Sequence, residues 1–377
     1  MANYNGRNQW LDLLRALAIL LVLVSHGFTF IPEPAVVLTQ HMAGFFGVEV
    51  FFCLSGFLIG GILIDTVKRF DGSMTTIANF MARRWFRTLP NYYFYLVVNL
   101  LIFWLGWTFA KEAEVGRYLV FTQNLLRVHP SFFPEAWSLA VEEVFYFALP
   151  IAVVLAWTLL RKPMLSLLVA LFALLAFSMA LRYHGALHAT HWDDEVRKIA
   201  LYRLDSLMWG VLLAYLHRVT LRDKPGALRI LSLALLGFLP VAIYAMWLDT
   251  VWLDTHFFAK FWLFTVTSLG VCGMITLGLS IQLPRLVVVF TSRIAKLSYS
   301  AYLVNLSVFY VLYHYFGLGG TMTEKIMRIV GFFVIVFSMS TLTYFGVERP
   351  FLRLRDKWVP APQKMALRQR NQPDAAM

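Results

Sequence analysis

Residues 10–30 read WLDLLRALAILLVLVSHGFTF, an apolar run long enough to span a bilayer that also holds Arg15 and His26. Inside hydrocarbon every backbone N–H and C=O must find a partner within its own segment, so such a run is helical. On a helix, eleven residues amount to three turns plus about 20°, with a rise of roughly 16 Å. The two side chains therefore project from one face, about half a membrane apart. Ionisable groups at that depth face a partner or a polar cavity rather than lipid. The segment predicts a helix lining a passage, with a fixed cation at one end and a titratable base at the other.

The remaining composition fits that setting. The chain of 377 residues is 59% hydrophobic and 14% charged, with a mean hydropathy of +0.66, whereas soluble domains carry about 25% charged residues. The fold class expected is all-α, a polytopic membrane protein of about ten transmembrane helices. They are read near 10–30, 44–66, 89–109, 138–160, 163–183, 200–217, 228–247, 258–280, 294–314 and 324–346. One membrane domain covers 1–351, and 352–377 reads as a basic cytoplasmic tail. The first span is too long for a cleaved signal peptide and lacks a small-residue cleavage site. Cys53 and Cys272 lie in apolar runs and are read as packing residues, with no metal site expected.

A net charge of +12 raises the question of nucleic acid, but the placement of the charges answers it. With the loops assigned to alternate sides, 22 of the 33 Lys and Arg residues fall on the side of both termini. Eight fall on the other side, and Arg15, Arg203 and Arg328 lie within spans. The bias places both termini in the cytoplasm and makes the basic charge a topology signal. Nucleic acid is not expected as a partner; the lipid bilayer is.

Four further segments carry candidate chemistry. PEAWSLAVEEVFYFALP (134–150) opens the fourth span, with Ser138 as a capping residue and Glu142 and Glu143 one turn in. Adjacent residues point about 100° apart, so only one glutamate is expected to share the cavity with His26. Glu142 is assigned there, to fix the imidazole tautomer and raise its basicity. ARRWFRTLPNYY (82–93) carries Arg83, Arg84 and Arg87. Arg83 and Arg87 are expected on one face, as a guanidinium fork suited to phosphates, with Arg15 opening on the same side. GFFGVEVFFCLSGFLIGG (44–61) places Glu49 near the outer end of a span and Ser55 deeper. YRLDSLMWG (202–210) carries Arg203 and Asp205, read equally as a brace or a site. Trp137, Trp192, Trp247 and Trp252 suit either sugar stacking or an interfacial aromatic belt.

Taken in order, LDLLRALAILLVLVSH, GVEVFFCLSGFLIG, RRWFRTLPNYY, WSLAVEEVFYFALP, YRLDSLMWG, LSYSAYLVN and VERPF resemble the acyltransferase-3 family of bacterial integral-membrane O-acyltransferases. The resemblance runs from residue 11 to 351. It implies about ten spans in the bacterial inner membrane and transfer of an acetyl or other short acyl group from cytoplasmic acyl-CoA. The acceptor implied is a hydroxyl of a glycan such as lipopolysaccharide or exopolysaccharide. On that basis the catalytic residues expected are His26 as general base, Glu142 and Arg15. Arg83, Arg84, Arg87 and Arg15 are expected to hold acyl-CoA, and Glu49, Glu143 and Trp137 the acceptor. Two positions depart from the family pattern. Glu49 replaces the usual Asp, and Asn305 stands where many members have His, so no proton chemistry is assigned to it. No hydrolase-like domain of the kind some longer members carry is read here. Acceptor handling is expected from the membrane domain alone or with a partner. The rival reading is a transporter or flippase for a glycan or polyanionic substrate, using Arg15 and His26 as substrate site and proton relay.

Overall fold

A computed structural model describes residues 8–68 and 74–359. Every regular element among the described residues is helical. In chain order the α-helices are α1 (Gln9–Gly27), α2 (Pro34–Val67), α3 (Met74–Trp104), α4 (Val115–Leu119), α5 (Ala136–Leu160), α6 (Pro163–His188), α7 (Leu204–Tyr215) and α8 (Pro225–Leu236). They continue with α9 (Phe238–Trp247), α10 (Thr250–Thr255), α11 (Phe257–Phe261), α12 (Leu263–Gly278), α13 (Arg285–Phe316), α14 (Met322–Thr343) and α15 (Arg349–Trp358). Single π-helical turns follow α6, α7 and α14.

Each segment read as a span contains helix, but the count of about ten is reached only in part. Among the described residues, six helical segments are long and apolar enough to cross a membrane: Gln9–Phe30, Val36–Val67, Ala136–Leu160, Pro163–His188, Pro225–Trp247 and Met322–Trp358. The others are shorter or, like α3 and α13, more polar, with Asn, Ser and Tyr among their apolar residues. The segment read as 258–280 divides into α11 and α12, and the one read as 200–217 yields only the 12-residue α7. Large apolar side chains on the outer surface, such as Leu159, Ile230, Leu286 and Trp104, stay exposed. An apolar exterior of that extent marks a surface for lipid, and the chain is a membrane protein.

Glycines set the central crossing. A Cβ on Gly56 of α2 would stand 2.0 Å from the Leu207 carbonyl oxygen, and one on Gly210 of α7 would stand 2.3 Å from the Cys53 carbonyl oxygen. The two backbones touch there, as small residues permit in membrane bundles. α1 and α2 run antiparallel: Gly44 abuts Ser25 and Gly47 abuts Ala18. α1 also packs along α13, and α3 against α13 and α15.

The chain after residue 351 does not begin as a tail. Residues up to Trp358 continue α15, which docks on α3 through Arg83–Asp356 at 3.5 Å and an edge-to-face Phe86–Trp358 contact at 5.8 Å. The tail beyond 359 lies outside the described residues.

Candidate active site

α2, α3, α5 and α13, with Arg15 of α1, enclose a cavity of about 310 Å³. Its polar lining is graded. At one end stand Arg15, Arg84, Arg87 and Arg218. In the middle, Ser55 donates to Glu142 Oε1 at 2.7 Å. At the far end, Ser138 Oγ meets the Tyr302 hydroxyl at 2.5 Å. Arg84 lies over the Tyr146 ring at 4.2 Å with its Nε buried and unbonded, and Arg15 contacts Asp12 at 3.3 Å.

Helix periodicity explains which arginines arrive. Arg84 and Arg87, three residues apart, flank one face of α3 and line the cavity. Arg83, expected to share a face with Arg87 and to bind the cofactor, instead turns to α15, where it contacts Asp356 and donates to the Val359 carbonyl oxygen. The docking of α15 takes Arg83 away from the cavity.

The expected pairing of His26 with Glu142 is absent. His26 Nδ1 pairs with Asn305 Oδ1, and His26 is not among the residues lining the cavity. Asn305 lies one turn from Tyr302 on α13, Tyr302 meets Ser138, and Glu142 follows Ser138 by one turn of α5. At 1.5 Å per residue, Glu142 lies about 10 Å from His26 along the bundle. The cause is the connection before α5. Its Phe132, Phe133, Gln123 and Asn124 are fully buried, and the two amides donate to the Ala136 and Trp137 carbonyl oxygens. The connection thus packs into the protein, and α5 starts well inside it rather than at a surface.

The remaining expected site residues also have definite places. Glu143 faces α3, accepting from Thr88 at 2.9 Å in a buried contact. Glu49, expected at the acceptor, is fully buried in an ion pair with Arg203 and accepts from Ser206 at 2.9 Å. Beside it, Arg182 and Asp205 form a second fully buried pair at 2.8 Å. YRLDSLMWG is therefore built as a brace. Trp137 is 5% exposed, edge-on to Phe52 and 5.1 Å from the Arg197 guanidinium, so it presents no open face for a sugar ring.

Ser138, assigned by sequence only a capping role, and Tyr302, Arg218 and Asn305, given none, all belong to the polar path. Tyr302 and Asn305 lie in LSYSAYLVN, whose polar residues at helical spacing were the available signal. Outside the membrane-spanning segments, burial pushes the Glu135 carboxyl up to about 8; neither of its oxygens finds a partner. Burial pushes the nearby-loop His129 down to about 3.

Comparison with known proteins identifies the family. The model of an acyltransferase domain matches residues 8–346. The chain is 29% identical over 189 residues to the peptidoglycan O-acetyltransferase OatA of Listeria monocytogenes, covering 46% of this chain and 29% of that protein. It is 25% identical over 397 residues to a putative O-acetyltransferase of Staphylococcus aureus strain COL, covering 95% of this chain and 60% of that one. An uncharacterized protein of Haemophilus influenzae is 28% identical over 193 residues, covering 46% of this chain and 75% of its own length. The chain therefore spans less than two thirds of each of the two named relatives. No solved structure matches it significantly. With a family model matching nearly its whole length, the chain belongs to the acyltransferase-3 family.

Proposed function

We propose that this protein is a membrane O-acyltransferase that moves an acetyl or other short acyl group from acyl-CoA to a hydroxyl of a glycan. The observation that carries the proposal is the graded cavity. Arg84 and Arg87 face it with no ion-pair partner among the described residues, and Arg15 and Arg218 stand at the same end. Guanidinium groups so placed suit the phosphates of a CoA ester. The narrower polar interior suits a pantetheine arm. Acyl-CoA is thus the donor substrate, entering from the side of the termini, which the charge bias makes cytoplasmic.

His26 is the general base in this reading. It lies beyond the Ser138–Tyr302 pair, so the thioester must pass that pair to reach it. His26 takes the proton of an acceptor hydroxyl, the oxygen attacks the thioester carbon, and the departing CoA thiolate takes up a proton. Glu142 and Ser55 lie where the arm passes and serve it as polar contacts. Lipopolysaccharide and exopolysaccharide are the acceptor classes that the family resemblance favours.

The test is release of CoA from radiolabelled acetyl-CoA by purified protein in proteoliposomes, with and without envelope glycans. Wild type should release CoA, and His26→Ala should lose about two to four orders of magnitude while remaining folded. A folded, fully active His26→Ala protein refutes the mechanism. Glycan movement without acyl-CoA consumption refutes the acyltransferase reading in favour of a transporter.

A further inference from the structure

We infer that Asn305 is a positioning residue that fixes the tautomer of His26, leaving Nε2 as the basic nitrogen. The inference rests on the acyltransferase reading for its catalytic consequence but not for its geometry.

Asn305 is fully buried on α13. Its amide nitrogen donates to the carbonyl oxygens of Tyr302 at 2.6 Å and Ala301 at 3.3 Å, both on its own helix. Carbonyl oxygens only accept, so the NH₂ group must face them and the amide cannot be flipped. That leaves Oδ1 toward His26, and Oδ1 also only accepts. His26 Nδ1 is the atom it meets. Nδ1 must therefore carry the hydrogen, and in the neutral imidazole the lone pair resides on Nε2. No described residue hydrogen-bonds Nε2, and His26 is half-buried rather than enclosed.

The arrangement replaces the carboxylate that the sequence suggested as orienting group. A neutral amide oxygen selects the same tautomer through a weaker bond than a carboxylate's, without placing a charge beside the imidazole. It also ties the base to the cavity. The turn of α13 whose carbonyl anchors Asn305 carries the Tyr302 hydroxyl that meets Ser138 at the cavity end. A shift of that turn moves both the cavity end and the imidazole.

Two readouts test this. The first is the ¹⁵N spectrum of histidine-labelled protein in lipid, with His26 assigned by its loss in His26→Gln. Wild type should show His26 protonated at Nδ1 when neutral, and Asn305→Ala should show a mixture of tautomers. The second is acetyl-CoA turnover. Asn305→Ala should lower kcat by about ten- to a hundredfold, the usual loss when a group that orients a histidine is removed, with KM for acetyl-CoA within about twofold. A wild-type His26 protonated at Nε2 overturns the inference whether or not any variant folds. So does a folded Asn305→Ala protein with unchanged kcat. Absence of acetyl-CoA turnover in wild type would count against the donor assignment alone, because the spectrum still decides the role of Asn305.

Discussion

Replacing Glu49 with Ala should unfold this protein far more than it alters its chemistry. Glu49 and Arg203 are both fully buried and paired. Ser206 bonds both of them, and the Arg203 guanidinium lies 3.9 Å from the Phe264 ring centre. Removing the carboxylate leaves a guanidinium buried without its counter-charge, which destabilises by about 3–5 kcal/mol. That lowers the folded-to-unfolded ratio by roughly two to three and a half orders of magnitude. Removing both charges together, as Glu49→Ala with Arg203→Met, leaves no orphan ion. Such double replacements are often near neutral, so the double variant should recover most of the loss. The assay is thermal loss of monodisperse protein in detergent, measured for wild type, both single variants and the double variant. Acetyl-CoA turnover per folded molecule is measured alongside. A Glu49→Ala protein that melts like wild type but has lost turnover refutes the brace and returns Glu49 to the acceptor site.

Other perturbations separate the cavity from its supports. Arg84→Ala should raise KM for acetyl-CoA by about tenfold to a hundredfold, the worth of a charge-assisted hydrogen bond, with a weaker dependence of KM on salt; initial rates at varied ionic strength check both. Gly56→Ala forces a Cβ to 2.0 Å from the Leu207 carbonyl oxygen. It should cost at least about 1–3 kcal/mol by overpacking, read as a lower melting temperature. Glu135 supplies a pH test. Its folded carboxyl titrates near 8, far above the ordinary carboxylate range, because burial penalises its charge. Between those limits the folded protein holds a proton that the unfolded chain has released, so this group makes stability fall as pH rises. Glu135→Gln should flatten that decline in melting temperature up to about pH 8; a slope unchanged from wild type would show that Glu135 is not its source.

Much of the fold could be read from the chain because hydrocarbon leaves the backbone so few options. The helical segments, Arg15 at a cavity and a carboxylate within the first two turns of α5 all follow from periodicity and from the expense of burying charge. What could not be read is which element stands opposite. Glu142 and Glu143 divide between two faces as their spacing requires, but the partners they meet are Ser55 and Thr88 rather than His26. Their depth depended on a connection whose polar residues, Gln123 and Asn124, look like loop yet are fully buried. Arg83 was misplaced because α15, 266 or more residues away in sequence, was read as a tail. Asn305 was passed over because an amide has no titration of its own. Its importance comes from the acceptor it turns toward an imidazole 279 residues distant.

The arginines inside the bundle sort into two kinds, fully buried braces and half-buried cavity-lining residues. Arg203 and Arg182 each have a dedicated carboxylate, Glu49 and Asp205, at contact distance and out of reach of solvent. Their charge is spent inside the protein, joining α2, α6 and α7. Arg84 and Arg87 have no such partner among the described residues. Arg84 rests on the face of Tyr146, and Glu142 and Glu143, its neighbours in space, accept from the hydroxyls of Ser55 and Thr88. Glu142, Glu143 and Glu348 stand near enough to act on these two guanidiniums through space without reaching ion-pair contact, so the pair keeps its hydrogen-bonding edges for the cavity. In the proposed reading, guanidiniums placed this way favour an anionic ligand in the cavity. On that reading the arginines and His26 stand at opposite ends of one path. A donor whose charge and reactive carbon are separated in the same way fits both ends at once.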